Sequence, residues 1–363
     1  MHFFTDFAVS FLLAYLAFTT NLAMEISSWL FTEKSTPTQV EEKPGSGDSG
    51  LSSLPSLISK AIPDILLRSS EYQQASLSGA TDISGATTKD PLEALVNIFC
   101  TFTTKEYVRT TTGTGFFVDP DGVIITNAHV AQFLLMEETD DLGETECVVR
   151  SGNPAVSHYL AELLYLPPAW VQQNAHVMKD SVPMGTGERD YALMYVSKSI
   201  DKTPLPAVFP ALSFDTSLLP VSTKNNVVVA AGYPATNLLE NGPSADLIPR
   251  RATTTVSELY TFGSNYADVF SIRGSDVGAE GASGGPVINE NGDVIGIIVT
   301  RGNDAIDGNG SLRAITLSHI DRTITEETGF SLEQNLGGNL PYRAKIFSET
   351  LTPFLIRILQ LAG

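Results

Sequence analysis

The chain has 363 residues, 42 % of them hydrophobic, enough for two to three domain-sized units around a sizeable core. Against 41 Asp and Glu stand only 22 Lys and Arg, a formal charge of −19. That balance lacks the clustered cations on which phosphate recognition depends and argues against a nucleic-acid partner.

Between Asp6 and Glu25 no residue is charged, and Phe7 to Phe18 is almost wholly apolar. As a helix, residues 7–24 would reach about 27 Å, close to a bilayer core of roughly 30 Å. Residues 1–6 hold no Lys or Arg, and Thr19-Thr20-Asn21-Leu22-Ala23 offers no Ala-x-Ala cleavage site. Residues 1–31 are therefore expected to be an uncleaved membrane anchor, with Trp29 and Phe31 at the far interface; a cleaved signal peptide is the competing reading. The expected location is the cell membrane, single-pass, with the rest of the chain extracytoplasmic, or secreted if the segment is removed.

Residues 32–90 read as a flexible linker. Residues 32–50 are rich in Thr, Ser, Pro, Gly and Glu, and residues 68–90 return to Ser, Thr and Gly. Between them Leu54, Leu57, Ile58, Ile62, Ile65 and Leu66 have helical spacing, but Pro55 and Pro63 limit any helix to a short one.

From residue 91 the pattern changes to short β-rich runs separated by Gly, Pro, Asn and Asp. The expected strands are 95–102, 113–118, 123–127, 146–150, 159–166 and 191–196, then 226–231, 252–260, 268–273, 286–289, 293–300 and 312–317. Twelve short strands without intervening helices predict an all-β fold. Ser318 is a candidate cap for a helix running through Ile324. Ser348 to Leu361 predicts a further helix, with Leu351, Phe354, Leu355, Ile358 and Leu361 as its apolar stripe.

Three segments carry chemistry. Ser283 lies in Gly281-Ala282-Ser283-Gly284-Gly285-Pro286. A tight glycine-walled turn there lets the Gly281 and Ser283 amides converge on an oxyanion, with no side chain to block a substrate carbonyl. His129, one of five histidines, follows the apolar run Val123-Ile124-Ile125 in Thr126-Asn127-Ala128-His129-Val130. Asp190 precedes Tyr191-Ala192-Leu193 and offers a carboxylate to hold the imidazole tautomer. The acidic run Glu137 to Glu144 lacks EF-hand spacing and is assigned no metal. Cys100 and Cys147 belong to no Cys/His cluster, so no zinc site is expected. No cofactor is implied, and nothing sets an oligomeric state.

These segments resemble the chymotrypsin/trypsin clan, and more closely its bacterial HtrA-like branch. Gly113-Thr114-Gly115-Phe116-Phe117-Val118, the turn Asp119-Pro120-Asp121-Gly122 and the strand into His129 resemble its second and third strands, and Gly232-Tyr233-Pro234 resembles a turn of its second barrel. The order His, Asp, Ser is that of the clan. The resemblance covers about residues 91–325. It implies two six-stranded antiparallel Greek-key barrels, at 91–205 and 206–325, with a helical extension over 326–363. Fewer than forty residues follow the second barrel, too few for the PDZ domain that HtrA proteins usually carry. If Cys100 and Cys147 fall on the first and fourth strands, the resemblance makes a cross-strand disulfide geometrically plausible; two buried free thiols are the alternative.

The resemblance further implies a serine endopeptidase acting on polypeptides through His129, Asp190 and Ser283. Ala282 stands where many animal members carry an Asp that pairs with a freed N-terminus, so that route of activation is not expected. Val277, six residues before Ser283, would form the base of the specificity pocket, suited to small uncharged side chains, unless the register slips to Asp276. Val299, Thr300 and Arg301 would line the strand on which substrate backbone is laid. Arg301 replaces a glycine that often keeps the pocket open, and could close it or recruit an acidic side chain. The alternative is a membrane-tethered pseudoprotease that binds polypeptides without turnover.

Overall fold

Val, Ile, Thr and Phe dominate the runs after residue 91, and such side chains pack well on a pleated surface. A computed structural model describes residues 66, 69–77, 85–105, 108–137, 139, 143–176, 187–242 and 245–362. The expected anchor at residues 1–31 lies outside the described residues. Among those described, no helix is long and apolar enough to cross a membrane.

All twelve expected strands form. The first six are β1 (Leu95–Thr103), β2 (Val108–Asp119), β3 (Val123–Thr126), β4 (Glu144–Ser151), β5 (Val156–Tyr165) and β6 (Ala192–Ser199). They close into a barrel in the order β1-β2-β3-β6-β5-β4, every pair antiparallel. The second six are β7 (Val227–Gly232), β8 (Arg250–Tyr260), β9 (Val269–Ile272), β10 (Pro286–Ile288), β11 (Val294–Arg301) and β12 (Leu312–Thr316). They close in the same order, β7-β8-β9-β12-β11-β10. Closure leaves no sheet edge to protect. Cys100 of β1 sits directly opposite Cys147 of β4, with Cα atoms 4.1 Å apart, and the two form a disulfide.

Helices interrupt the strands, contrary to expectation. Ala128–Met136 (α2) is a helix with every side chain buried, which is why its sequence shows no amphipathic period. Pro168–Asn174 (α3) and Thr236–Asn241 (α4) are shorter. Upstream, Ser70–Leu77 (α1) falls inside the expected linker yet is a helix, because Tyr72 and Ala75 are completely buried. The Tyr72 hydroxyl donates to Asn335 Oδ1 at 3.2 Å, and the buried Arg343 guanidinium reaches the same oxygen at 3.1 Å.

After the second barrel come α5 (Leu317–Thr328), α6 (Leu332–Leu336), α7 (Leu340–Thr350) and α8 (Thr352–Ala362). The cap of α5 is Thr316, whose hydroxyl accepts from the His319 amide at 3.1 Å; Ser318 is buried in the first turn instead. The expected helix at 348–361 is divided, since Leu351 ends α7 and α8 begins at Thr352. Leu351, Leu355 and Leu359 face inward, whereas Phe354 and Leu361 are exposed, 53 % and 63 %. The apolar stripe is thus narrower than the sequence suggests.

The loop between β8 and β9 is fastened to α5 by one buried carboxylate. Asp268 Oδ2 accepts from Thr261 Oγ1, the Phe262 amide and Ser264 Oγ, while Oδ1 meets His319 Nδ1 at 3.1 Å and Arg322. Burial raises the Asp268 pKa, but these donors outweigh it and hold the carboxyl below its ordinary value. Burial lowers the His319 pKa, opposed by Asp268; Arg322 lowers it further and Glu188 raises it. A histidine depressed in the fold contributes stability that is fully present above its unfolded pKa near 6.5 and is lost as pH falls from that value through the lower folded one. The melting temperature is expected to drop between pH 7 and pH 5 more steeply in the parent than in His319→Asn. Parallel curves from calorimetry would refute this.

Candidate active site

The chemistry-bearing segments meet where the barrels join. Asn127 follows β3 directly and occupies the N-cap of α2, but its side chain leaves the cap unmade and donates from Nδ2 to the Asp190 carbonyl at 2.8 Å. That bond ties the start of α2 to the Asp190 segment. His129, in the first turn of α2, is 4 % exposed, and Asp190 is fully buried. Asp190 Oδ1 accepts the His129 backbone amide at 2.9 Å, and Oδ2 lies 2.8 Å from His129 Nδ1. One carboxylate therefore grips both the backbone and the ring. With Nδ1–H donating to it, Nε2 is the ring's acceptor.

Ser283 arrives from the second barrel on the loop before β10. Thr114 of β2, completely buried, docks that loop: its hydroxyl donates to the Gly281 carbonyl at 2.6 Å and accepts the Tyr233 amide at 2.9 Å. Its own amide donates to the Ser283 carbonyl at 2.8 Å. Two glycines make the approach feasible. Gly281 has φ +90°, and a Cβ there would stand 2.6 Å from the Tyr233 carbonyl oxygen. Gly284 has φ +89°, and its Cβ would fall 1.9 Å from the Thr114 carbonyl oxygen.

Within the loop the amides of Ala282, Gly284 and Gly285 donate to the carbonyls of Ala279, Ile298 and Ala282. Among the described residues, those of Gly281 and Ser283 meet no protein acceptor. Two unused donors flanking Ala282 are the arrangement that can receive a developing oxyanion.

His129 and Ser283 line one cavity of about 120 Å³. Val299, Thr300 and Arg301 of β11 line it too. Val277 does not; it is fully buried among the apolar side chains of the second barrel, with Val256, Phe270 and Leu312. The cavity lining instead includes Ala279 and Glu280 from the Ser283 loop, Leu312 of β12, and Thr110, Thr111 and Thr112 of β2. Sequence reasoning missed these, and missed Thr114 and Asn127 as docking residues. The Thr110 to Gly115 run of small polar residues in β2 was the available signal. Among the described residues no cluster of His, Cys, Asp or Glu could hold a metal ion.

Two closed six-stranded barrels, with a His–Asp pair on one and a glycine-walled serine on the other, define the architecture of trypsin-like peptidases. The sequence matches the family described as Trypsin-like peptidase domain over residues 113–297, half of the chain, and the chain belongs to that family. It is a distant homologue of HtrA proteases. Serine protease HTR4 of Rattus norvegicus is 25 % identical over 259 residues, which cover 71 % of this chain and 41 % of that protein. The chain thus spans about two-fifths of the length of this curated relative. Among solved structures, the active form of the Rv3671c protease from M. tuberculosis is 20 % identical, with a TM-score of 0.39, covering 68 % of this chain and 91 % of that one. Its inactive form is 21 % identical, with a TM-score of 0.38 and coverage of 65 % and 89 %.

Proposed function

We propose that this chain is a serine endopeptidase that cleaves polypeptides through an acyl-enzyme on Ser283. The observation that carries the reading is the junction itself: Asp190 holds His129 by ring and backbone, and His129 shares its cavity with Ser283. His129 Nε2 takes the hydroxyl proton as Ser283 Oγ attacks the carbonyl carbon, then returns it to the leaving amine; water repeats the cycle on the ester. Asp190 fixes the tautomer and stabilises the imidazolium, while the Gly281 and Ser283 amides stabilise the tetrahedral oxyanion. No cofactor takes part in these steps.

A fluorophosphonate probe tests the nucleophile directly: the parent protein is expected to label and Ser283→Ala is not. A binding module without turnover is the second reading. It draws on the Ser283 hydroxyl, which makes no hydrogen bond among the described residues. A folded parent that resists the probe would favour that reading, although such contacts often tighten only once substrate is bound.

The reading includes an extracytoplasmic site held at the membrane by residues 7–24, supported by their lack of charge. The Cys100–Cys147 bond fits an oxidising compartment. Carbonate extraction is expected to leave the full-length protein in the membrane pellet, and denatured, unreduced protein to show no alkylatable thiol. Release into the supernatant would remove the anchor, and free alkylation of both cysteines would remove the bond.

A further inference from the structure

A second cavity, of about 370 Å³, adjoins the first. It shares Val299, Thr300 and Arg301 with the active-site cavity and is completed by Arg313 of β12 and by Tyr260 and Phe262 at the end of β8. Among the described residues Arg189, Lys224, Arg251, Arg322 and Lys345 are in ion pairs with carboxylates. Among the described residues Arg301 and Arg313 are in none, and they face the same space. The Arg313 guanidinium stacks 5.2 Å from the Tyr260 ring centroid, which orients it. Its Nε is buried and has no hydrogen-bond acceptor.

A buried guanidinium N–H without an acceptor is costly, and a planar carboxylate is the group that fits a guanidinium fork. Asp268, the buried carboxylate at the foot of the loop between β8 and β9, is already occupied by Arg322, His319 and the loop donors. Among the described residues no acceptor meets the Arg313 Nε–H, which leaves it open to one carried by a ligand.

We propose that this cavity is a subsite for an acidic side chain, Asp or Glu, of the polypeptide substrate, held by Arg301 and Arg313 beside the residue undergoing cleavage. The proposal rests on the endopeptidase reading, because it takes the substrate to run along β11 from one cavity to the next. Tyr260 and Phe262 would flank the aliphatic part of the side chain, and the shared Arg301 would couple its occupancy to the position of the scissile bond.

The test uses fluorescent peptide pairs that are identical except for Glu or Gln at one position near the cleaved bond, each position being scanned in turn. At one position the Glu peptide is expected to be cleaved roughly tenfold more efficiently by the parent, mainly through KM. Arg301→Gln and Arg313→Gln are each expected to reduce that preference severalfold, read as the ratio of Glu-peptide to Gln-peptide cleavage within each variant. Arg301→Glu is expected to reverse the preference, which simple misfolding would not do. Binding of the same pairs to Ser283→Ala, followed by fluorescence anisotropy, reads the subsite without turnover. Equal affinity for Glu and Gln peptides at every position overturns the subsite. A preference untouched by both arginine substitutions does so as well. If the parent fails to label with fluorophosphonate while Ser283→Ala still prefers the Glu peptide, the subsite stands and the endopeptidase reading fails.

Discussion

Purified Ser283→Ala and His129→Ala are each expected to lose roughly 10⁴- to 10⁶-fold in peptide or ester turnover while remaining folded. That range is the loss seen when either group is removed from serine hydrolases that use a Ser-His-Asp triad. The direction comes from the geometry. Without Ser283 no acyl-enzyme forms, and without His129 nothing at the site takes the hydroxyl proton, because Asp190 is buried behind the ring. The double variant is expected to lose little more than either single one, as the two groups act as a unit. Folding is spared in the serine variant because the Ser283 hydroxyl bonds to nothing among the described residues, and the loop is docked through backbone atoms by Thr114. More than a few per cent of residual activity in either purified single variant would sink the assignment.

The strands were legible because the barrels obey local rules. β-branched runs bounded by turn residues placed all twelve within a few positions, and the family resemblance implied the two-barrel plan. The helices were less legible. In α2 every side chain from Ala128 to Met136 is buried, so neither a period of two nor one of 3.6 could show. The α1 helix looked like linker because its docking depends on two residues, Tyr72 and Ala75, whose partners lie more than 250 positions away. The site divides in the same way. His129, Asp190 and Ser283 are the chemical groups of their motifs, whereas Thr114 and Asn127 act through tertiary contacts with the Ser283 loop and the Asp190 segment. The position of Val277 illustrates the limit of counting along a loop, for the chain turns it into the barrel core while Ala279 and Glu280 reach the cavity.

Removing the cation that neutralises Glu327 is expected to cost about 2–3 kcal/mol of stability. Glu327 lies on α5 and is buried, yet it meets the Arg189 guanidinium at 2.9 Å, as an ion pair angled off the Nε–H direction, and accepts from the Tyr165 hydroxyl. Burial raises its pKa; the Tyr165 hydrogen bond and Arg189 oppose that shift without cancelling it. Arg189 also has φ +57°, a left-handed backbone, immediately before Asp190. On the other side of Asp190, the Tyr191 hydroxyl bonds with Thr323 Oγ1 at 2.9 Å, again on α5. Both neighbours of Asp190 are thus fastened to one helix. Arg189→Met would strand the carboxylate, although Arg189 is 24 % exposed, so solvent screening keeps the loss below the 3–5 kcal/mol of a fully buried pair. The pH dependence fixes the cause. A carboxyl raised in the fold binds its proton more tightly there than when unfolded, so its contribution to stability declines as pH rises from the ordinary carboxylate value toward the folded one. In Arg189→Met that decline is expected to be larger and to extend to higher pH, and Arg189→Met/Glu327→Gln is expected to flatten it and recover much of the loss. Denaturant titrations of the three proteins between pH 4 and pH 8 decide the matter: a loss that persists undiminished in the double variant would mean that Arg189 acts by packing rather than by charge.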